Sequence, residues 1–186
     1  MGRVSQAQAE ENRRRVVDTA SRLFREQGTQ VSVADLMKAA GLTHGAFYKQ
    51  FASKEALVDE ATAHAFAELA QRYSAGLDRH DGQREAAQQA LVDTYLSVEH
   101  RDDPADGCPV AALATDIARE GGGREARRVY AEGVADFADF LTTDDQDGIV
   151  RLCTLFGALV LSRATKGSAL SEEILAAAHA ALTEAG

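Results

Sequence analysis

Residues Val31 to Leu57 read VSVADLMKAAGLTHGAFYKQFASKEAL, and two short helical patterns separated by a glycine lie within them. Val33, Leu36, Met37 and Ala40 recur at helical spacing, Gly41 breaks the run, and Thr43 opens a second helix that should reach about Phe51, a helix-turn-helix pattern. Ser32 can cap the first helix, with Asp35 three residues on forming a weak capping box. The second helix divides its residues between two faces. Ala46, Phe47 and Phe51 can pack inward, which leaves Thr43, His44, Gly45, Tyr48 and Lys49 outward. Hydroxyl, imidazole, phenol and ammonium groups on one face suit base edges and phosphates.

The run AAGLTHGAFYKQF-ASKEAL resembles the DNA-binding signature of the TetR family of bacterial transcriptional repressors. The shared features are a small apolar helix, a glycine turn, a Ser/Thr-x-Gly start, a Tyr, a Phe and Ser-Lys-Glu-x-Leu, in register over roughly residues 12 to 60. Val31, Met37 and Gln50 depart from the usual residues of that signature. The resemblance implies an all-α chain: a three-helix DNA-binding domain over residues 1–52 and a helical ligand-binding and dimerisation domain over residues 53–186. It also implies a homodimeric, ligand-released repressor of a near-palindromic operator in double-stranded DNA. Thr43, His44 and Tyr48 are the candidates for base-edge or adjacent phosphate contact, Ser32, Lys49 and Lys54 for phosphates, and Gly45 belongs to the same DNA-binding face.

Outward from this stretch, Val16, Val17, Ala20, Leu23 and Phe24 form the stripe of a preceding helix that Gly28 stops, after a polar lead-in over residues 1–11. Arg13, Arg14 and Arg15 stand at its expected start, where a solvated face and a phosphate contact are both open readings. Downstream, Ser53 caps a long helix running to about Leu77, and such a rod can carry motion between the two parts. The remainder is helical by pattern, about Gln83 to Glu99, Pro109 to Arg119, Arg124 to Leu141, Gln146 to Thr165 and Ser171 to Ala185, with loops at Asp102–Gly107 and Gly121–Gly123.

The formal charge is -9 over 186 residues, which by itself argues against a nucleic-acid partner. The average hides a segregation. Residues 1–58 hold nine Lys/Arg against six Asp/Glu, a net +3, which leaves -12 for the rest. The five histidines (His44, His64, His80, His100, His179) are scattered, and neither a nucleophile elbow nor a phosphate-cradling glycine loop occurs. Catalysis, a metal site and a cofactor are therefore not expected. The most apolar run, Ile149 to Leu161, holds 13 residues with Arg151 inside it, so no membrane span is expected and a reducing cytoplasm fits.

The last two helices carry more apolar surface than one core needs, with Ile149, Val150, Leu152, Cys153, Leu155, Phe156, Leu159, Val160 and Leu161 all round the first. Either it is a central helix or the pair forms a dimer seam, the arrangement that the resemblance favours. Phe66, Tyr73, Tyr95, Val110, Leu113, Tyr130 and Phe137 are candidate lining for a pocket beside the long helix, binding a small apolar or aromatic effector, with Cys108 near its rim. Cys108 precedes Pro109 at a helix cap, where amides favour thiolate, so modification of Cys108 competes with non-covalent occupancy. A packing role for Cys108 is the plainer reading, and Cys153 is expected to be inert core. A small-molecule or thiol-sensing module that does not read an operator is the alternative function.

Overall fold

The computed structural model describes residues 6–119 and 123–183. Among these residues there are ten helices and no strand: α1 Gln6–Gln27, α2 Val33–Ala39, α3 His44–Phe47, α4 Lys54–Arg79, α5 Arg84–Tyr95, α6 Val98–Asp102, α7 Pro109–Ala118, α8 Arg124–Leu141, α9 Gly148–Ala164 and α10 Ala169–Thr183. Gly121, Gly122 and Ala185, expected in a loop and at the last helix end, lie outside the described residues. None of the described helices is long and apolar enough to cross a membrane.

Local chemistry sets most of the boundaries. Ser32 accepts a hydrogen bond from the Asp35 amide (3.1 Å) and caps α2. Ser53 does the same for α4 through the Ala56 amide (3.2 Å). Gly28, at φ +83°, takes the left-handed conformation that ends α1. Two expectations change. Residues 6–11 belong to α1, because Gln, Ala and Glu are good helix formers, and the three arginines therefore sit well inside the helix rather than at its positive end. The segment from Gln83 to Glu99 is two helices: the chain turns at Leu96, which is buried, and Ser97 caps α6 by accepting from the His100 amide (3.1 Å).

Two apolar clusters form the interior. The N-terminal one joins Val16, Ala20 and Phe24 of α1, Leu36 and Met37 of α2, Phe47 and Phe51, and Leu57, Val58 and Ala61 of α4. The C-terminal one joins Phe66 and Leu69 of α4 to α5 and α7–α10 through residues such as Val92, Phe137, Leu155, Leu159 and Leu175. Three helices serve both: α4, α7 (Val110 in one cluster, Leu113 and Ile117 in the other) and α8 (Phe137 and Ala126). The α4–α8 crossing depends on Gly133, where an added Cβ would lie 2.1 Å from the Phe66 ring. Polar ties reinforce the junction. Asp116 of α7 accepts from the Thr29 amide (2.5 Å), and Asp59 of α4 accepts from the Ala126 amide (3.0 Å) in the first turn of α8.

Candidate nucleic-acid interface and ligand cavity

The helix-turn-helix presents its polar groups as the pattern requires. Phe47 and Phe51 are buried and stacked 5.4 Å apart, while Thr43, His44, Gly45, Tyr48 and Lys49 are all exposed. Tyr48 is 65% exposed, and its ring rests edge-on against Phe47 (5.2 Å) and His44 (5.7 Å), so the phenol stands out from a fixed base. Thr43 caps α3 in an extended conformation without using its side chain, which leaves the hydroxyl available. The Ser32 hydroxyl is committed, donating to Asp35 Oδ2 (2.6 Å) while it caps α2. Lys54 opens α4 and is half-buried.

α3 is shorter than the pattern suggests. It ends at Phe47, with Tyr48 as its cap and residues 48–50 in a turn closed by bonds from the Gln50 and Phe51 amides to the Phe47 carbonyl (2.8 and 3.0 Å). That turn is held by Arg13, a role that sequence reasoning missed. Its guanidinium lies 4.4 Å over the Phe51 ring, donates to the Gln50 carbonyl and pairs with Glu60 of α4. Arg13 thus staples α1, the recognition turn and α4 together. Arg14 and Arg15 stay exposed, bonded to Glu11 (2.7 Å) and Asn12 (2.6 Å) of their own helix.

A cavity of about 390 Å³ lies beside the C-terminal half of α4. Leu69, Tyr73, Ala87, Leu91 and Phe137 supply its apolar wall, and Arg72, Arg79, His80, Thr94, Tyr95, His100 and Cys108 supply polar atoms. Of the eight sequence candidates, Tyr73, Tyr95, Cys108 and Phe137 meet here. The other four lie elsewhere. Phe66 packs edge-on against Tyr130 (5.5 Å), Val110 is buried and accepts from the Tyr130 hydroxyl (2.8 Å) through its carbonyl, and Leu113 belongs to the N-terminal cluster. The cationic lining residues carry no signal of their own in the sequence, because Arg72 and Arg79 read as ordinary exposed positions of a long helix.

Both cysteines differ from expectation. Cys108 is 2% exposed and stands inside the cavity wall rather than at its rim. Burial pushes its thiol pKa up, outweighing Tyr95 and the Val110 and Ala111 amides, so the cap geometry does not produce a thiolate. Cys153 is exposed, because the face of α9 that carries it with Ile149 and Val150 (64% and 62% exposed) points away from the core. Tyr95 is buried, its hydroxyl faces the Cys108 thiol, and burial raises its pKa well above the usual phenol range. His100 is pushed down by burial, against the Tyr95 carbonyl that its Nδ1 meets at 2.7 Å.

The loop ahead of Cys108 connects the cavity to α1. Arg25, buried in α1, reaches the Gly107 carbonyl (3.4 Å) and Glu68 (2.8 Å), and Arg22 pairs with the Asp106 side chain. Arg72 of the cavity lining donates to the Asp106 carbonyl (2.5 Å).

Residues 16–61, the segment that builds this helix-turn-helix, match the family model described as bacterial regulatory proteins, tetR family. That segment is a TetR-family DNA-binding region. Its N-terminal region is similar to the HTH-type transcriptional regulator AcrR of Shigella flexneri, 41% identical over 61 residues. That alignment spans 32% of this chain and 28% of the relative's length. The whole TetR-like fold is similar to reduced E. coli NemR, with a TM-score of 0.77 at 19% identity over 94% of this chain and 96% of that one. It is also similar to a TetR regulator from Chloroflexus aurantiacus, with a TM-score of 0.72 at 21% identity over 95% and 94% of the two chains.

Proposed function

We propose that this chain is a DNA-binding transcriptional regulator, a homodimeric repressor that a small molecule releases from a near-palindromic operator. The observation that carries the reading is the row of exposed polar groups on Thr43, His44, Tyr48 and Lys49, set on the buried Phe47–Phe51 pair. Each subunit would lay this segment in a major groove, with half-sites one DNA turn, roughly 34–36 Å, or a multiple apart. Thr43, His44 and Tyr48 would meet base edges or adjacent phosphates beside Gly45, Lys49 and Lys54 would meet phosphates, and Ser32 would meet one by turning its hydroxyl proton away from Asp35. The DNA-binding domain would span residues 1–52 and the effector and dimerisation domain residues 53–186. Work on DNA would place the protein in the cytoplasm.

The dimer follows from the uncovered apolar face of the last two helices, where Ile149, Val150, Leu161 and Leu170 are each more than half exposed. A second copy would cover it, making a four-helix seam. The effector would occupy the cavity beside α4. It could lower DNA affinity only by favouring a conformation with wrongly spaced recognition segments. α4 and the loop that Arg22, Arg25 and Arg72 hold both run from cavity to DNA-binding domain, so both can transmit that preference. A buried, protonated Cys108 favours non-covalent occupancy over thiol modification. If Cys108→Ser is still released by the natural signal, thiol sensing is excluded.

A gel shift with the DNA flanking the chain's own gene tests the central reading. A complex that resists unrelated duplex competitor is expected. Equal displacement by any duplex would favour the alternative, a helical binding module that does not read an operator.

A further inference from the structure

The cavity lining has a charge character opposite to that of the domain around it. Residues 59–186 carry a net -12, yet among the described residues no Asp or Glu lines the cavity, whereas two arginines do. Arg72 and Arg79 lie two turns apart on α4, on the face that also presents Leu69 and Tyr73 inward. Between them stands Gly76, a residue that weakens a helix by about 1 kcal/mol relative to Ala unless its lack of a side chain is used. Here it is used. The Arg79 Nη2 lies 4.0 Å from where a Gly76 Cβ would stand, so this guanidinium lies over Gly76, and both exposed arginines line the one cavity. Arg79 complements the C-terminal end of α4, a role that needs no ligand, but Arg72 is far from that end. Arg72 spends one nitrogen on the Asp106 carbonyl and has further donors.

Deeper in, the Tyr95 hydroxyl is buried against the Cys108 thiol and stays protonated, so it adds no negative charge to the cavity. We propose that the effector is an amphipathic organic anion, an aromatic or aliphatic acid. Its apolar body lies against Leu69, Tyr73 and Leu91, and its carboxylate sits between Arg72 and Arg79. This rests on reading the cavity as the effector site, and it sets charge as the property that separates effectors from neutral molecules of the same shape.

Calorimetry on the full chain at neutral pH, with naphthoate against naphthamide and decanoate against decanamide, tests it. In at least one pair the acid should bind about tenfold or more tightly than its amide, the step expected of a charge-assisted hydrogen bond. Arg79→Gln should shrink that gap several-fold while leaving amide binding within about twofold. Amides binding as well as acids, or no binding by any of the four, overturns the inference. Gly76→Leu, whose side chain meets only the movable Arg79 guanidinium and fills the gap between the arginines, distinguishes the two levels. Equal acid and amide binding that Gly76→Leu abolishes leaves the cavity reading standing without the anion, whereas acid binding that survives both Gly76→Leu and Leu91→Trp lies outside the cavity and overturns both.

Discussion

The two apolar clusters of this chain use the same kinds of side chain and end differently. The N-terminal cluster closes around Phe24, Met37, Phe47 and Leu57, each at most 2% exposed, and puts every candidate DNA-reading group outside it. The C-terminal cluster closes around Phe137, Leu155 and Leu159 but keeps a cavity of about 390 Å³, with a buried phenol and thiol facing inward. A recognition surface for a large partner needs rigid support beneath exposed groups; a small-molecule site needs the reverse, space enclosed by apolar walls with few polar atoms. The difference shows how one set of helices serves both, because α4 contributes Leu57, Val58 and Ala61 to the closed cluster and Phe66, Leu69 and Tyr73 to the hollow one.

Truncation should expose this contrast most strongly. Phe47→Ala removes a ring packed on all sides, and urea unfolding should show a loss near the top of the roughly 3–5 kcal/mol range for buried Phe. Tyr73→Ala should cost less, by about 1 kcal/mol or more, since that ring is half-buried and lines the cavity. Equal losses would mean that the Tyr73 ring is packed on all sides in solution. Gly133→Ala comes next. It forces a methyl into the Phe66 ring at the α4–α8 crossing, and a loss of about 1–3 kcal/mol with a lowered melting temperature is expected. A neutral effect would show that the crossing adapts. A smaller effect, about 1 kcal/mol, is expected from Ser53→Ala, which deletes the cap at the joint between the clusters.

Thiol labelling sharpens the comparison without altering stability. Cys108 should react only on unfolding, because burial keeps it protonated. Cys153 should react slowly in concentrated protein, where the proposed seam covers it, and faster as dilution separates the subunits. A rate independent of concentration would put the seam elsewhere.

The sequence made the caps and the turn of the N-terminal end readable, because caps and 3.6-residue periodicity are local, but it put the start of α1 too late and the end of α3 too far. Ser32, Ser53, the glycine turn and the outward set of α3 all follow from spacing of a few residues. The cavity was legible only in part. Periodicity tells which face of a helix is apolar and not which neighbour covers it, so Phe66, Leu113 and Phe137 looked equivalent although one meets α8, one the N-terminal cluster and one the cavity. The same blindness misplaced Cys153, since a helix apolar all round gives no sign of its uncovered side. Arg13 escaped notice because its partners, Gln50, Phe51 and Glu60, lie far along the chain.

Salt-dependent binding of operator DNA, followed by fluorescence anisotropy for the wild type, Tyr48→Ala and Lys54→Ala, tests the central claim most directly. The account predicts that Lys54→Ala weakens all duplexes alike and lowers the slope of log affinity against log salt by about one. Tyr48→Ala should narrow the gap between operator and unrelated DNA, by about 1–3 kcal/mol if it reads a base. Both variants binding operator like the wild type, with unchanged slope, would contradict the assignment of this surface to DNA.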